Sequence, residues 1–187
     1  MLHAGVRVDL VVADRPCRGL EVAESAGVEA LLLDRAHYGG FRADFDRDGF
    51  SAALAQLLRG HRITLVAMAG FGTVLSTPLH EAFSGRVLNT HPSLLPDFKG
   101  WHAVAQALEA GVSESGCTVH VATEALDDGP ILAQRRVPVL EGDDEQRLHE
   151  RIKAVERELY PQVVTRVMAS LAEGLEPASL TPTLEEE

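Results

Sequence analysis

The sequence predicts an α/β protein built on a doubly wound, mostly parallel sheet, and three observations carry that expectation. Short β-branched apolar runs alternate with longer segments of helical period, as when strands and helices take turns within one layered domain. An apolar fraction of 45% over 187 residues is enough to bury one sizeable core. Punctuation also falls where alternation needs it: Gly27 closes one helical pattern and Pro78 stands near the start of another.

The elements follow in order. "RVDLVVAD" (7–14) reads as a buried strand, "RGLEVAESAG" (18–27) as a helix and "VEALLLD" (28–34) as the next strand. "DGFSAALAQLLRGH" (48–61) places Phe50, Leu54, Leu57 and Leu58 on one helical face. "ITLVAMAG" (63–70) reads as a third strand, "TPLHEAF" (77–83) as a short helix and "RVLNTH" (86–91) as a fourth strand. A proline-rich loop leads to a helix at 103–111, two strands at 116–123 and 130–139 that pair, and one long amphipathic helix at 143–174 with a candidate kink at Pro161. Residues 1–174 are expected to form one domain, and the polar, proline-bearing tail 175–187 to remain without structure.

Composition narrows the function. The net charge is −11 and lysine and arginine form no stripe, which argues against a nucleic-acid surface but leaves room for a small anionic ligand held by local donors. Cys17 and Cys117 are too far apart in sequence for a zinc knuckle or a Cys-x-x-Cys motif, which favours a cytoplasmic protein without disulfides. No apolar run approaches the length of a membrane span, and Arg7 and Asp9 interrupt the N-terminal stretch, which disfavours a signal peptide.

The chemistry concentrates after the fourth strand, in "NTHPSLLPDFKG" (89–100). Ligands of doubly wound sheets sit beyond the carboxyl ends of the strands, which is where this loop begins. Asn89 and His91 are two residues apart and share one face of a strand that runs through both. An amide and an imidazole can both be aimed at a carbonyl oxygen that gains negative charge. Pro92 and Pro96 stiffen the exit and lower the entropy cost of that aim. A plainer alternative stays open, in which Asn89 caps a turn and His91 is a satisfied, half-buried histidine. "EALDDGPI" (124–131) is good turn chemistry, and it could equally deliver a carboxylate beside an imidazole. His120 lies between these possibilities. No Gly-x-Ser-x-Gly accompanies Ser93, and no metal-ligand spacing appears. The Asp-rich run at 37–50 lacks the spacing and terminal glutamate of a calcium loop.

"AGFGTVLS", "VLNTHPSLLPDFKG" and "GCTVHVATEALDDGPILAQ" together resemble the folate-dependent formyltransferases, and "ERIKAVERELYP" is similar to the glycinamide ribonucleotide (GAR) branch of that family. The likeness covers about residues 6–162. It implies direct transfer of a formyl group from 10-formyltetrahydrofolate to the amine of GAR in purine synthesis, without a metal. On matching positions it implies Asn89 as donor to the formyl oxygen, His91 as imidazolium partner of the oxyanion, and Asp127 as the carboxylate that supports His91 and relays protons through water. It implies folate contacts at Gly70, Gly72, Val74, Leu75, His120, Val121 and Thr123, and substrate contacts at Arg47, Lys153 and Glu156. Thr73 stands where the family often places an arginine. A cytoplasmic monomer or homodimer, with no nucleic-acid or membrane partner, completes the expectation. Another formyl acceptor, water as acceptor, or a folate-binding remnant without catalysis are the alternatives.

One departure bears on activity. In the family a first strand leads into a glycine- and serine-containing loop whose helix N-terminus cradles the substrate phosphate. Here "MLHAGVRVDLVVAD" matches the second strand, and no Gly-x-Gly-Ser-Asn occurs. The fold is therefore expected to lack its first strand and helix. Either Met1 is an internal methionine of a longer reading frame, which is preferred, or the chain is a truncated relative. On either account these 187 residues are expected to turn over weakly or not at all.

Overall fold

The computed structural model describes residues 1–185, which separate into two compact units, the first spanning Met1–Ser84 and the second beginning at Gly85. In the first unit β1 (Leu10–Ala13), α1 (Arg18–Ser25) and β2 (Glu29–Leu32) are followed by α2 (Arg47–Gly60), β3 (Val66–Ala67) and α3 (Thr77–Ala82). β1 and β2 are parallel, with Leu10 opposite Glu29 and Ala13 opposite Leu32. The turn between α1 and β2 passes through Gly27 at φ +73°, a left-handed conformation that costs glycine nothing. α2 is capped by Asp46, whose carboxylate accepts from the Gly49 N–H at 2.8 Å. Its buried stripe is Phe50, Leu54 and Leu58 as the periodicity predicts, with Leu57 half-buried at the margin. Phe50 is fully buried, its ring centroid 5.5 Å from Tyr38 and 5.8 Å from Phe45.

Two expectations shorten here. The strand read at 7–14 is half-buried and covers only Leu10–Ala13, since Arg7 and Asp9 are exposed and bond each other at 2.9 Å. The strand read at 63–70 is confined to Val66–Ala67. Ile63 has committed its N–H to Leu58 at the end of α2, and Gly70 leaves the extended region at φ +63°. Side-chain period reported these runs as apolar, but backbone commitments at each end set their length.

The second unit contains β4 (Val87–His91), α4 (Ala103–Glu109), β5 (Glu114–Val121), β6 (Ile131–Pro138), α5 (Glu145–Ala172) and β7 (Thr183–Glu185). Its strands lie in the order β4-β5-β6-β7. β4–β5 and β5–β6 are antiparallel, whereas β6–β7 is parallel. The α/β class stands, and the sheet direction is mixed. β5 is buried along nearly its whole length, under α5, which places Leu148, Ile152, Leu159, Val163 and Val167 in the core. The helix continues through Pro161, and Tyr160 anchors it by donating to the Leu88 carbonyl at 3.0 Å.

The tail differs from the expectation of no structure. Pro177–Ser179 forms a 3-10 turn with Pro177 buried, and β7 pairs with β6. Arg86 ties the segment down through Glu176, at 2.6 Å. An open edge of β6 can satisfy a strand's backbone groups, which composition does not reveal. Residues 186 and 187 of the expected tail lie outside the described residues.

The start of α5 makes stability depend on acid. Asp143 accepts two bonds from Arg151, at 2.8 and 2.9 Å, and one from the Leu140 N–H at 2.8 Å. Arg151 first, then that N–H, holds the Asp143 carboxyl down at about 2. Because the folded value lies below the ordinary one of about 3.9, the stabilisation is fully present above the ordinary value and is lost as pH falls toward 2. Asp143→Asn is expected to flatten the stability profile across this acid window, measured by denaturant unfolding at stepped pH.

Candidate active site

β4 and β5 bring the first groups together. Asn89 lies directly opposite His120, and His91 opposite Thr118. The Asn89 amide nitrogen, Nδ2, is 3.3 Å from Nε2 of His120. His91 is buried, with Nε2 donating to the Phe98 carbonyl at 2.8 Å and Nδ1 lying 3.4 Å from Oδ2 of Asp127. Oδ1 of Asp127 is 3.6 Å from Nε2 of His120. Asn89, His91 and Asp127, three residues spread over two segments of the sequence, thus form one cluster around His120.

The loop from Pro92 to Gly100 is held as its composition predicts, though by partners the sequence did not advertise. Oγ1 of Thr118 donates to the Ser93 carbonyl at 2.7 Å and accepts from the Leu95 N–H at 3.0 Å. Gln134 on β6 donates to the Leu95 carbonyl at 2.8 Å and to Thr118 at 2.9 Å. The loop's buried backbone groups are therefore met by two side chains of neighbouring strands. The Leu95–Pro96 peptide is cis. Thr118 and Gln134 belong to no motif in the sequence, and only the β4–β5–β6 register reveals their role.

Asp127 occupies an unusual backbone position, φ +53°, which is tolerated best by glycine, asparagine and aspartate. Two contacts hold it there. The Gly100 N–H donates to Oδ2 at 2.9 Å, and the neighbouring Asp128 bonds the ammonium of Lys99. Lys99 keeps the Asp128 carboxyl below its usual range. At the base of the loop, a Cβ on Gly129 would stand 1.7 Å from the Val121 carbonyl oxygen. Gly129→Ala is therefore expected to displace the Asp127 loop and to cost about 1–3 kcal/mol or more, seen as a lower denaturant midpoint.

His120 is 1% exposed, and burial lowers its basicity, reinforced by His91 and opposed by Asp127 and the Val121 carbonyl. Val121 is buried beside it and Thr123 is exposed, its hydroxyl donating to the Ala125 carbonyl at 3.0 Å. Lys153 and Glu156 are one turn apart on α5, and among the described residues the ion pair of Lys153 is with Glu150, at 3.0 Å. Glu156 is half-buried and burial raises its carboxyl. No bond among the described residues joins either to Asn89, His91, His120 or Asp127. Burial first, and then the Glu156 carboxylate, pushes the Cys117 thiol up to about 12, which makes it an inert core residue.

The remaining candidates belong to the first unit. Arg47 is exposed at the first position of α2, Gly70 is exposed, Gly72 and Val74 are half-buried, and Leu75 is buried. Thr73 closes a buried polar network. It donates to Asp14 at 2.7 Å and accepts from Arg35 at 2.7 Å, and the Arg35 guanidinium is flanked by the rings of Phe41 and Phe45 at 4.0 and 4.2 Å. Among the described residues no cluster of histidine, cysteine and acidic side chains could hold a metal, and no helix is long and apolar enough to cross a membrane.

An amide and an imidazole on β4, a second imidazole on β5 and a carboxylate in the loop after β5 are thus gathered at one place, a set of donors and a proton acceptor suited to a carbonyl oxygen that gains charge. The sequence pattern of the Formyl transferase family matches residues 2–164, and the chain belongs to that family. Within it, the chain is 43% identical over 178 residues to the phosphoribosylglycinamide formyltransferase of Mycobacterium tuberculosis (strain H37Rv), covering 95% of this chain and 79% of that protein. It is 38% identical to the human trifunctional purine biosynthetic protein adenosine-3, over 88% of this chain and 16% of that one. Among solved structures it is similar to glycinamide ribonucleotide transformylase 1 from Symbiobacterium toebii, with a TM-score of 0.79 and 45% identity, covering 88% of this chain and 74% of that one.

Proposed function

We propose that the chain transfers a formyl group from 10-formyltetrahydrofolate to the amine of glycinamide ribonucleotide, a step of purine biosynthesis. The observation that carries this reading is the convergence of Asn89, His91 and Asp127, with Asp127 3.4 Å from His91 and 3.6 Å from the histidine that Asn89 touches. The amine attacks the formyl carbon, a C–N bond forms, and the carbonyl electron pair moves to oxygen. Asn89 donates an N–H to that oxyanion. His91 keeps its firm bond from Nε2 to the Phe98 carbonyl. Its Nδ1, 3.4 Å from Asp127, is the ring nitrogen not committed to the Phe98 carbonyl and so the one that can present a proton on the side of Asp127 and the oxyanion. Asp127 uses Oδ2 for the Gly100 N–H, so Oδ1 keeps lone pairs for a proton taken from the amine through water. That proton is delivered to N10 as the oxyanion re-forms the carbonyl and the C–N10 bond breaks, so N10 leaves as a neutral amine.

The assignments of Gly70, Gly72, Val74, Leu75, His120, Val121 and Thr123 to the folate, and of Arg47, Lys153 and Glu156 to the nucleotide, rest on the resemblance. So do a cytoplasmic setting and a monomer or homodimer. The test is to supply 10-formyltetrahydrofolate with GAR, without any amine, and with GAR replaced by another amine. Tetrahydrofolate release that requires GAR supports the reading. Release independent of any amine would instead identify a hydrolase.

A further inference from the structure

We infer that His120 works as a neutral positioning residue whose unprotonated Nε2 holds the Asn89 amide with its N–H groups, rather than its oxygen, toward the reaction. This rests on the formyl-transfer reading above and assigns a part to a histidine that reading leaves with the folate.

Three contacts decide it. Nδ1 of His120 is 3.1 Å from the Val121 carbonyl oxygen, which can only accept, so Nδ1 carries the ring proton. A neutral ring then presents a lone pair at Nε2. The atom 3.3 Å from that lone pair is a nitrogen of Asn89, and it donates. The opposite tautomer would set two lone pairs against each other at Val121 and two N–H groups against each other at Asn89, unless the amide turned over. A turned amide would show its carbonyl oxygen to the developing oxyanion and repel it.

The charged groups facing the ring leave the neutral form in place. Asp127, at 3.6 Å from Nε2, favours a proton there. Burial at 1% exposure and the nearby His91 oppose it. The β5–β6 irregularity at Val119/His120 marks the same spot in the backbone. With one N–H of Asn89 spent on His120, the second remains for the formyl oxygen.

The test has two arms. Long-range nitrogen–proton NMR of the 15N-histidine-labelled chain, without ligand, reads the ring directly. A protonated Nδ1 and bare Nε2 near neutral pH is expected. An Nε2–H tautomer or an imidazolium overturns the inference, whatever the chain catalyses. The second arm compares two substitutions by kcat and KM. His120→Asn keeps a donor near the δ position and loses the ε acceptor, so kcat is expected to fall about 10- to 100-fold through misalignment of the oxyanion donor. His120→Gln can place an oxygen at the ε position and should recover most of that loss in kcat. Equal loss in the two, or an effect on KM alone, overturns the positioning role. If the NMR result holds while GAR is never formylated, the proposed function fails and the inferred tautomer stands.

Discussion

Asn89→Ala is expected to lower kcat by about 100- to 1,000-fold relative to the parent chain. The amide is half-buried and, among the described residues, its side-chain bond is the one to His120, so its removal withdraws that partner from His120 while the backbone pairing of β4 with β5 is kept. The loss falls on the transition state, where the formyl oxygen gains a charge that its ground-state carbonyl lacks. KM for the folate should therefore move little, because a carbonyl oxygen draws far less from a donor than an oxyanion does. Steady-state kinetics at saturating folate measures the effect. A fall below about threefold would remove Asn89 from the oxyanion, since loss of a single donor normally costs far more.

Asp127→Asn is expected to produce a comparable or larger loss, about 100- to 10,000-fold, the range general acid–base catalysis supplies. The substitution separates charge from shape. Asparagine tolerates the backbone conformation at φ +53° as well as aspartate does, and its side-chain oxygen can still accept the Gly100 N–H now made at 2.9 Å. Thermal unfolding should thus remain near that of the parent chain. What disappears is the negative charge 3.4 Å from His91 Nδ1 and the ability to carry a proton. Asp127→Ala would be a poorer probe, because alanine at positive φ adds strain of about 1–2 kcal/mol and frees the loop as well. Near-parental turnover by a folded Asp127→Asn chain would remove the carboxylate from the proton path.

The order of strands and helices was legible in the sequence because apolar period is a local property. Phe50, Leu54 and Leu58 announce the buried face of α2 by spacing alone, and Gly27 announces the turn after α1. Strand ends were less legible. Val66–Ala67 is short because Ile63 and Gly70 are committed elsewhere, and the β7 segment exists because β6 has an edge to receive it. Those limits depend on partners distant in the chain.

The sequence by itself determined which chemistry was available. Asn89 and His91 share one face of a strand, and Asp127 stands in a stretch of turn chemistry. Only the tertiary structure decided how these groups are placed. The register of β4 against β5 sets Asn89 on His120, Thr118 and Gln134 pin the proline loop, and the Phe98 carbonyl and Gly100 N–H orient His91 and Asp127. The physical reason is that donor and acceptor types belong to single residues, whereas hydrogen bonding needs ångström-scale alignment of atoms whose positions are fixed by strand pairing and loop closure.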